Sequence, residues 1–163
     1  MTTLWSRLTK QHDTAAGIYG TILATSIVVG LSETNDPSPP RALEFLLVSQ
    51  IVFWLAHVYA RYVAGKAEAS APGADDLVAI AIYEWPIVRA CAPAVLAIVL
   101  WWLGALSENG AYWLALTLGI GELAVLGFAF GRRTGQGVLR ATATATLDAG
   151  LGAVLVLVKV LAG

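Results

Sequence analysis

Apolar residues run through the chain in five stretches, at residues 14–31, 43–64, 87–106, 112–131 and 141–161, and the polar residues gather between them. An α-helix needs about 20 residues to cross the hydrocarbon core of a bilayer, and each stretch is close to that length. The pattern predicts an all-α fold, a polytopic membrane helical bundle of about five transmembrane helices, forming a single transmembrane domain over residues 1–163. The first stretch follows a polar start that carries Arg7, Lys10 and His12. No small-x-small cleavage site leads from it into a soluble mature domain, so it reads as a span and not as a secretory signal.

The breaks between stretches have their own chemistry. Residues 32–41 hold Pro37, Pro39 and Pro40 and are expected to form a loop that is not helical through its prolines. Asn109-Gly110 marks a tight turn at residues 107–111. Lys66-Ala-Glu-Ala-Ser-Ala-Pro-Gly reads as a loop, after which Asp75 and Asp76 cap a short helix running through Ile80 to Glu84 and on into the third span. Pro86 falls where that helix enters the span and Pro93 inside it, so a kink at Pro93 is expected. The fifth stretch opens with Ala141-Thr-Ala-Thr-Ala-Thr-Leu-Asp148. A full span is expected there, its threonines bonded to backbone carbonyls or lining a neighbouring helix. The alternative is four spans plus a half-span, with Asp148 as the N-cap of a shorter helix.

Composition agrees with the pattern. The chain is 58% hydrophobic and only 13% charged, whereas soluble domains carry about 25% charged residues. A net charge of −1 argues against a nucleic-acid partner. The single cysteine, Cys91, has no intramolecular disulfide partner, and no Cys/His cluster suggests a metal or another cofactor.

Lysine and arginine accumulate in cytoplasmic loops. With a cytoplasmic N-terminus, Arg7, Lys10, Arg61, Lys66, Arg89, Arg132, Arg133 and Arg140 lie inside and only Arg41 and Lys159 outside. Trp101, Trp102, Tyr112 and Trp113 then form an outer aromatic belt, and Tyr62, Tyr83 and Trp85 lie toward the inner interface. The expected location is the inner, plasma membrane of a bacterial cell, with the lipid bilayer as the first partner.

Three ionisable residues, His57, Glu122 and Asp148, fall near the middle of three different apolar stretches. A charge at the bilayer centre costs about 2.5–3.5 kcal/mol even on insertion scales, so such residues commonly mark ion or proton routes. Their depths let them share one layer, where a carboxylate and an imidazole would stabilise each other's charged forms. The plainer alternatives are a single structural hydrogen bond from His57 and, for Glu122 in Gly119-Ile-Gly-Glu122-Leu, a protonated acid bonded to a carbonyl of a closely approaching helix. Gly127 and Gly131 form a Gly-x-x-x-Gly pair, and Gly17, Gly20 and Ala24 give the first helix a small face. Such faces suit close packing in lipid, within the chain or in a homo-oligomer, and a conducting path is expected between copies.

Phe53-Trp54-Leu55-Ala56-His57-Val58-Tyr59 and Gly17-Ile18-Tyr19 resemble stretches of the lysosomal and bacterial potassium channels whose first helix opens with Phe-Ser-Asp. The resemblance implies that Trp54 and His57 have a structural or gating role, bracing a pore-lining first helix. It also places the constriction near Thr21, with Ile22 beside it. The positions that match Phe-Ser-Asp are Thr14, Ala15 and Ala16, so the aspartate that bonds Trp and His in that family is absent. Tyr19-Gly20, Trp54-Leu-Ala-His57 and Glu84-Trp-Pro-Ile-Val88 also resemble uncharacterised integral membrane proteins of actinobacteria, a likeness that implies no activity.

Hydrolase, metalloprotease and phosphate-binding signatures do not occur, and one intramembrane histidine excludes bis-histidine haem within one chain, so no enzyme activity is expected. The reading that follows is an oligomeric channel-like protein for small monovalent cations, potassium or protons. Thr21, Ile22, Thr25, Ser26, Glu122 and Asp148 are its expected pathway residues. The alternatives are a non-conducting membrane scaffold or assembly protein and a proton-coupled small-solute carrier.

Overall fold

The computed structural model describes the backbone of residues 2–34, 38–67, 74–135 and 137–162, with the side chains of 2–13, 66–67, 74–76, 158–159 and 162 outside the description. Every regular element among the described residues is an α-helix: α1 (Thr2–Leu31), α2 (Pro39–Ala67), α3 (Ala74–Tyr83), α4 (Pro86–Arg89), α5 (Ala92–Trp102), α6 (Glu108–Arg133) and α7 (Val138–Ala162). Four helical segments are long and apolar enough to cross a membrane: Thr14–Leu31, Pro39–Gly65, Glu108–Arg133 and Val138–Leu157. Leu77–Arg89 and Ala92–Trp102 reach that length only together, across a bend of 51°. This set of apolar helices is compatible with a multi-pass membrane protein.

The helix ends differ from expectation in an instructive way. Pro39 and Pro40 do not hold residues 32–41 in a loop; they are the first two residues of α2, behind Ser38, whose carbonyl accepts the first helical bond from the Ala42 amide at 2.9 Å. Proline is pre-shaped for a first turn, where its missing N–H has no partner to lose. Pro86 and Pro93 behave alike, opening α4 and α5. The expected kink inside a helix at Pro93 is therefore a break at Ala90–Cys91 just before it. The tight turn lies a few residues earlier than expected, at 103–107. Gly104 takes φ +74° there, and the Ser107 hydroxyl caps α6 by accepting from the Gly110 amide at 3.2 Å. Asn109-Gly110 is thus in the first turn of α6. Glycine again ends a helix at Gly135, φ +78°, after α6.

The polar start is not separate from the first span, since α1 is helical from Thr2. α7 runs unbroken through Asp148, which removes the reading of that residue as an N-cap. Thr142, Thr144 and Thr146 keep the helix intact by donating to the carbonyls four residues back. The capping expected of Asp75 and Asp76, and the loop from Lys66, fall on residues or side chains outside the description.

α1 is the central post, touching α2, α4, α5, α6 and α7, while α6 stands between α1 and α7. Half of the α1 span is buried against 11% of the α7 span. The core joins Val28, Leu46, Ile98, Tyr112 and Leu116. Tyr112, expected in the outer belt, is buried in this core with its ring 5.7 Å from that of Trp101, whereas Trp102 and Trp113 are exposed. Phe45, Val48, Val52 and Leu55 on α2 and Leu151 and Val154 on α7 are also exposed. An apolar surface of that extent is unstable in water and stable in lipid.

Candidate functional site at Glu122

Glu122 is brought to the centre of the bundle by three helical faces of matching period. α1 presents Thr21, Ala24 and Thr25, the broken α4–α5 segment presents Ala90, Pro93 and Ala94, and α6 presents Ala115, Gly119 and Glu122. Residues three and four apart share one side of a helix, so these small side chains leave a gap where the three helices meet. The gap is a small, partly open cavity of about 10 Å3, room for about one water molecule. Close approach makes it possible: a methyl group on Gly119 would lie 2.6 Å from the Thr25 hydroxyl oxygen.

The donors and acceptors around the cavity are unequally committed. Thr21 donates to the Gly17 carbonyl at 2.9 Å and Thr25 to the Thr21 carbonyl at 2.7 Å. Their hydroxyl protons are therefore used inside α1, and their remaining lone pairs face outward as acceptors. The Thr21 hydroxyl lies within hydrogen-bonding reach of the Glu122 carboxyl. The second carboxyl oxygen, Oε2, is shielded from solvent and has no hydrogen-bond partner among the described residues. The guanidinium of Arg89 and the thiol of Cys91 are the electrostatic neighbours of the carboxyl.

The other two ionisable residues lie elsewhere. Asp148 faces Gly127 across the α6–α7 contact, where a methyl group on Gly127 would collide with the Asp148 carboxyl and stand 3.0 Å from the Ala145 Cα. His57 sits on α2, its ring 4.6 Å from that of Tyr19 and its Nδ1 3.1 Å from the Phe53 carbonyl of its own helix. The three ionisable groups do not meet, because each faces a different helix contact. Of the expected pathway residues, Thr21, Thr25 and Glu122 meet at the cavity; Ile22, Ser26 and Asp148 do not line it. The Ser26 hydroxyl donates to the Ile22 carbonyl at 2.8 Å. Trp54 donates from Nε1 to the Ala81 carbonyl of α3 at 3.0 Å and meets Trp85 edge-on at 5.6 Å. It braces the bent segment.

Three polar groups had no role in the sequence reading. Gln50, fully buried, donates through its amide nitrogen to the Ile87 carbonyl at 2.6 Å and the Gly20 carbonyl at 3.2 Å. The helix break explains why: the Cys91 amide bonds to the Val88 carbonyl and leaves that of Ile87 in need of a donor. Gly20 permits the junction, since a methyl group there would be 2.5 Å from the Ile87 oxygen. A search for uncharged amides inside apolar stretches would have flagged Gln50. Glu84, 2% exposed, pairs with Arg61, whose guanidinium lies over the Tyr83 ring at 5.0 Å. Arg89, counted on the cytoplasmic side at the start of the third stretch, ends α4 within the bent segment.

Small-residue positions are spent within the chain. Gly20 and Ala24 meet the α4–α5 segment, Gly17 faces Leu126, and Gly127 receives α7. Comparison with known proteins found no matching family model, no similar curated protein and no similar solved structure.

Proposed function

We propose that this chain is a membrane protein of five crossings, the bent α3–α5 segment counted as one, that passes small monovalent cations across the bilayer with Glu122 as the central ion-binding group. The observation that carries the reading is the shielded Glu122 Oε2, unpartnered among the described residues, in a carboxyl that borders a small cavity at the junction of α1, α4–α5 and α6. An ionisable group is costly at that depth and is otherwise expected to be fully bonded. The N-terminus is cytoplasmic on this reading. With Arg89 inside the bent segment, seven basic residues remain inside against two outside.

The cavity lies between helices of one chain, and Trp54 holds the segment that forms one wall. The test is flux of potassium, sodium and protons, each driven separately, through purified protein in liposomes, with a Glu122→Gln protein beside the wild type. Loss of flux in a folded, inserted variant supports the pathway; absence of flux from the wild type under every gradient rejects it. A non-conducting scaffold is the second reading, favoured by the Gln50 junction, which ties α1, α2 and α4 together. A proton-coupled carrier would show flux only when its solute is supplied.

A further inference from the structure

We propose that the exposed face of the bent segment around Arg89 is a docking site for a membrane-spanning helix of another protein, one that carries an aspartate or glutamate near its middle. Such docking rests on the five-crossing reading and is independent of ion flow, so it is compatible with the pathway and the scaffold alike.

The depth of Arg89 follows from the contacts of its neighbours. Gln50, near the middle of the α2 span, holds the Ile87 carbonyl two residues before Arg89 together with the Gly20 carbonyl of α1. Ala90, the next residue, lines the cavity that Thr21 and Glu122 border. Arg89 therefore leaves its helix near the middle of the crossing. Its side chain is exposed, and among the described residues it forms no ion pair and no hydrogen bond; Glu122 is an electrostatic neighbour only. Arginine stays protonated in proteins, and a charge at that depth ordinarily faces a bundle interior, a water-filled cavity or an opposite charge. Arg61, nearer the end of the α2 span, shows the usual solution: its guanidinium pairs with Glu84 and lies over the Tyr83 ring. The described residues supply no such carboxylate to Arg89.

The surface around that charge is a seat for a helix. Trp85, Arg89, Ala92, Leu96 and Val99 recur at intervals of three or four, so they share one face of the segment across its break. They line an open groove of about 470 Å3 whose other side chains are valine and cysteine. From Trp85 to Val99 the segment rises about 21 Å, most of the hydrocarbon thickness. Ala92, one turn beyond Arg89, is small enough for close approach. Apolar contact by itself gives a helix little advantage over lipid tails, so the charge decides the occupant. A carboxylate on a docked helix meets the guanidinium through two parallel N–H···O bonds. A phospholipid holds its phosphate at the interface, about 15 Å from the bilayer centre, and leaves the charge unmatched. A second copy offers no free carboxyl from the middle of a helix: Glu122 and Asp148 each have an oxygen shielded within their own bundle, one at the cavity and one against Gly127.

The experiment uses the full chain, fluorescently labelled, in liposomes with acceptor-labelled synthetic helices of leucine and alanine long enough to span. One helix carries a central aspartate, a second a central leucine, and a third its aspartate at the end. Energy transfer is expected at about tenfold lower concentration of the central-aspartate helix than of the other two. Arg89→Leu, which removes no ion pair or hydrogen bond among the described residues, is expected to abolish that preference, and Arg89→Lys to keep it. Equal transfer to the three helices, or a preference that Arg89→Leu retains, would overturn the proposal. So would transfer between two labelled copies of the wild type that is lost in Arg89→Leu and in Asp148→Asn, since the groove would then belong to a second copy. Chain that alkaline carbonate strips from the liposomes would instead remove the crossing on which docking depends.

Discussion

Glu122 and Asp148 carry the same functional group on two adjoining helices, and the bundle treats them differently. Each has one oxygen shielded and unpartnered among the described residues. Glu122 borders a cavity walled by three segments, with two threonine hydroxyls on its edge. Asp148 fills the notch left by Gly127 at the α6–α7 contact. A carboxyl inside an apolar helix is therefore a candidate by its cost, and a site only where space and acceptors accompany it.

The largest expected difference is in transport. Glu122→Gln should lower proton flux about a hundredfold or more, the low end of what a positioned proton-transfer group contributes, while Asp148→Asn stays close to wild type. Dye-reported proton flux at equal protein density checks both, and equal losses would erase the contrast. The next largest difference is in stability. Gly127→Ala drives a methyl group into the Asp148 carboxyl and the α7 backbone, an overpacking expected to cost about 2 kcal/mol. Thermal unfolding in detergent measures it, and adding Asp148→Ala should restore part of the loss, since only neighbours couple in this way.

Gln50→Leu is expected to cost about 1 kcal/mol by removing the donor from the Ile87 and Gly20 carbonyls. It should leave the ratio of proton to rubidium flux unchanged; a changed ratio would move the amide from support to site. Gly121→Ala is the smallest, within about 0.5 kcal/mol, because nothing lies within 4 Å of the added carbon. A marked drop for that variant in lipid would reveal a surface that a second copy covers.

Element type and approximate extent were legible because a membrane helix announces itself by composition: the stretches at 43–64, 112–131 and 141–161 lie inside α2, α6 and α7. The third stretch was less so, because proline permits both a kink within a helix and the start of a new one. Which of the two occurs depends on whether a donor exists for the freed carbonyl, and Gln50, 37 residues away in sequence, supplies it. Thr21, Thr25 and Glu122 were legible as polar residues in apolar helices; their meeting was not.

By itself the sequence determined an all-helical chain with long apolar helices and most of the polar residues that those helices must accommodate. These follow from local costs, which a single helix already meets. Tertiary structure alone decided which polar residues share a space. Helix rotation and approach are set by small residues such as Gly20, Gly119 and Gly127 meeting particular partners across the bundle, and no local pattern encodes the partner. That is why Thr21, Thr25 and Glu122 share one cavity while Asp148 faces Gly127 and His57 faces Tyr19.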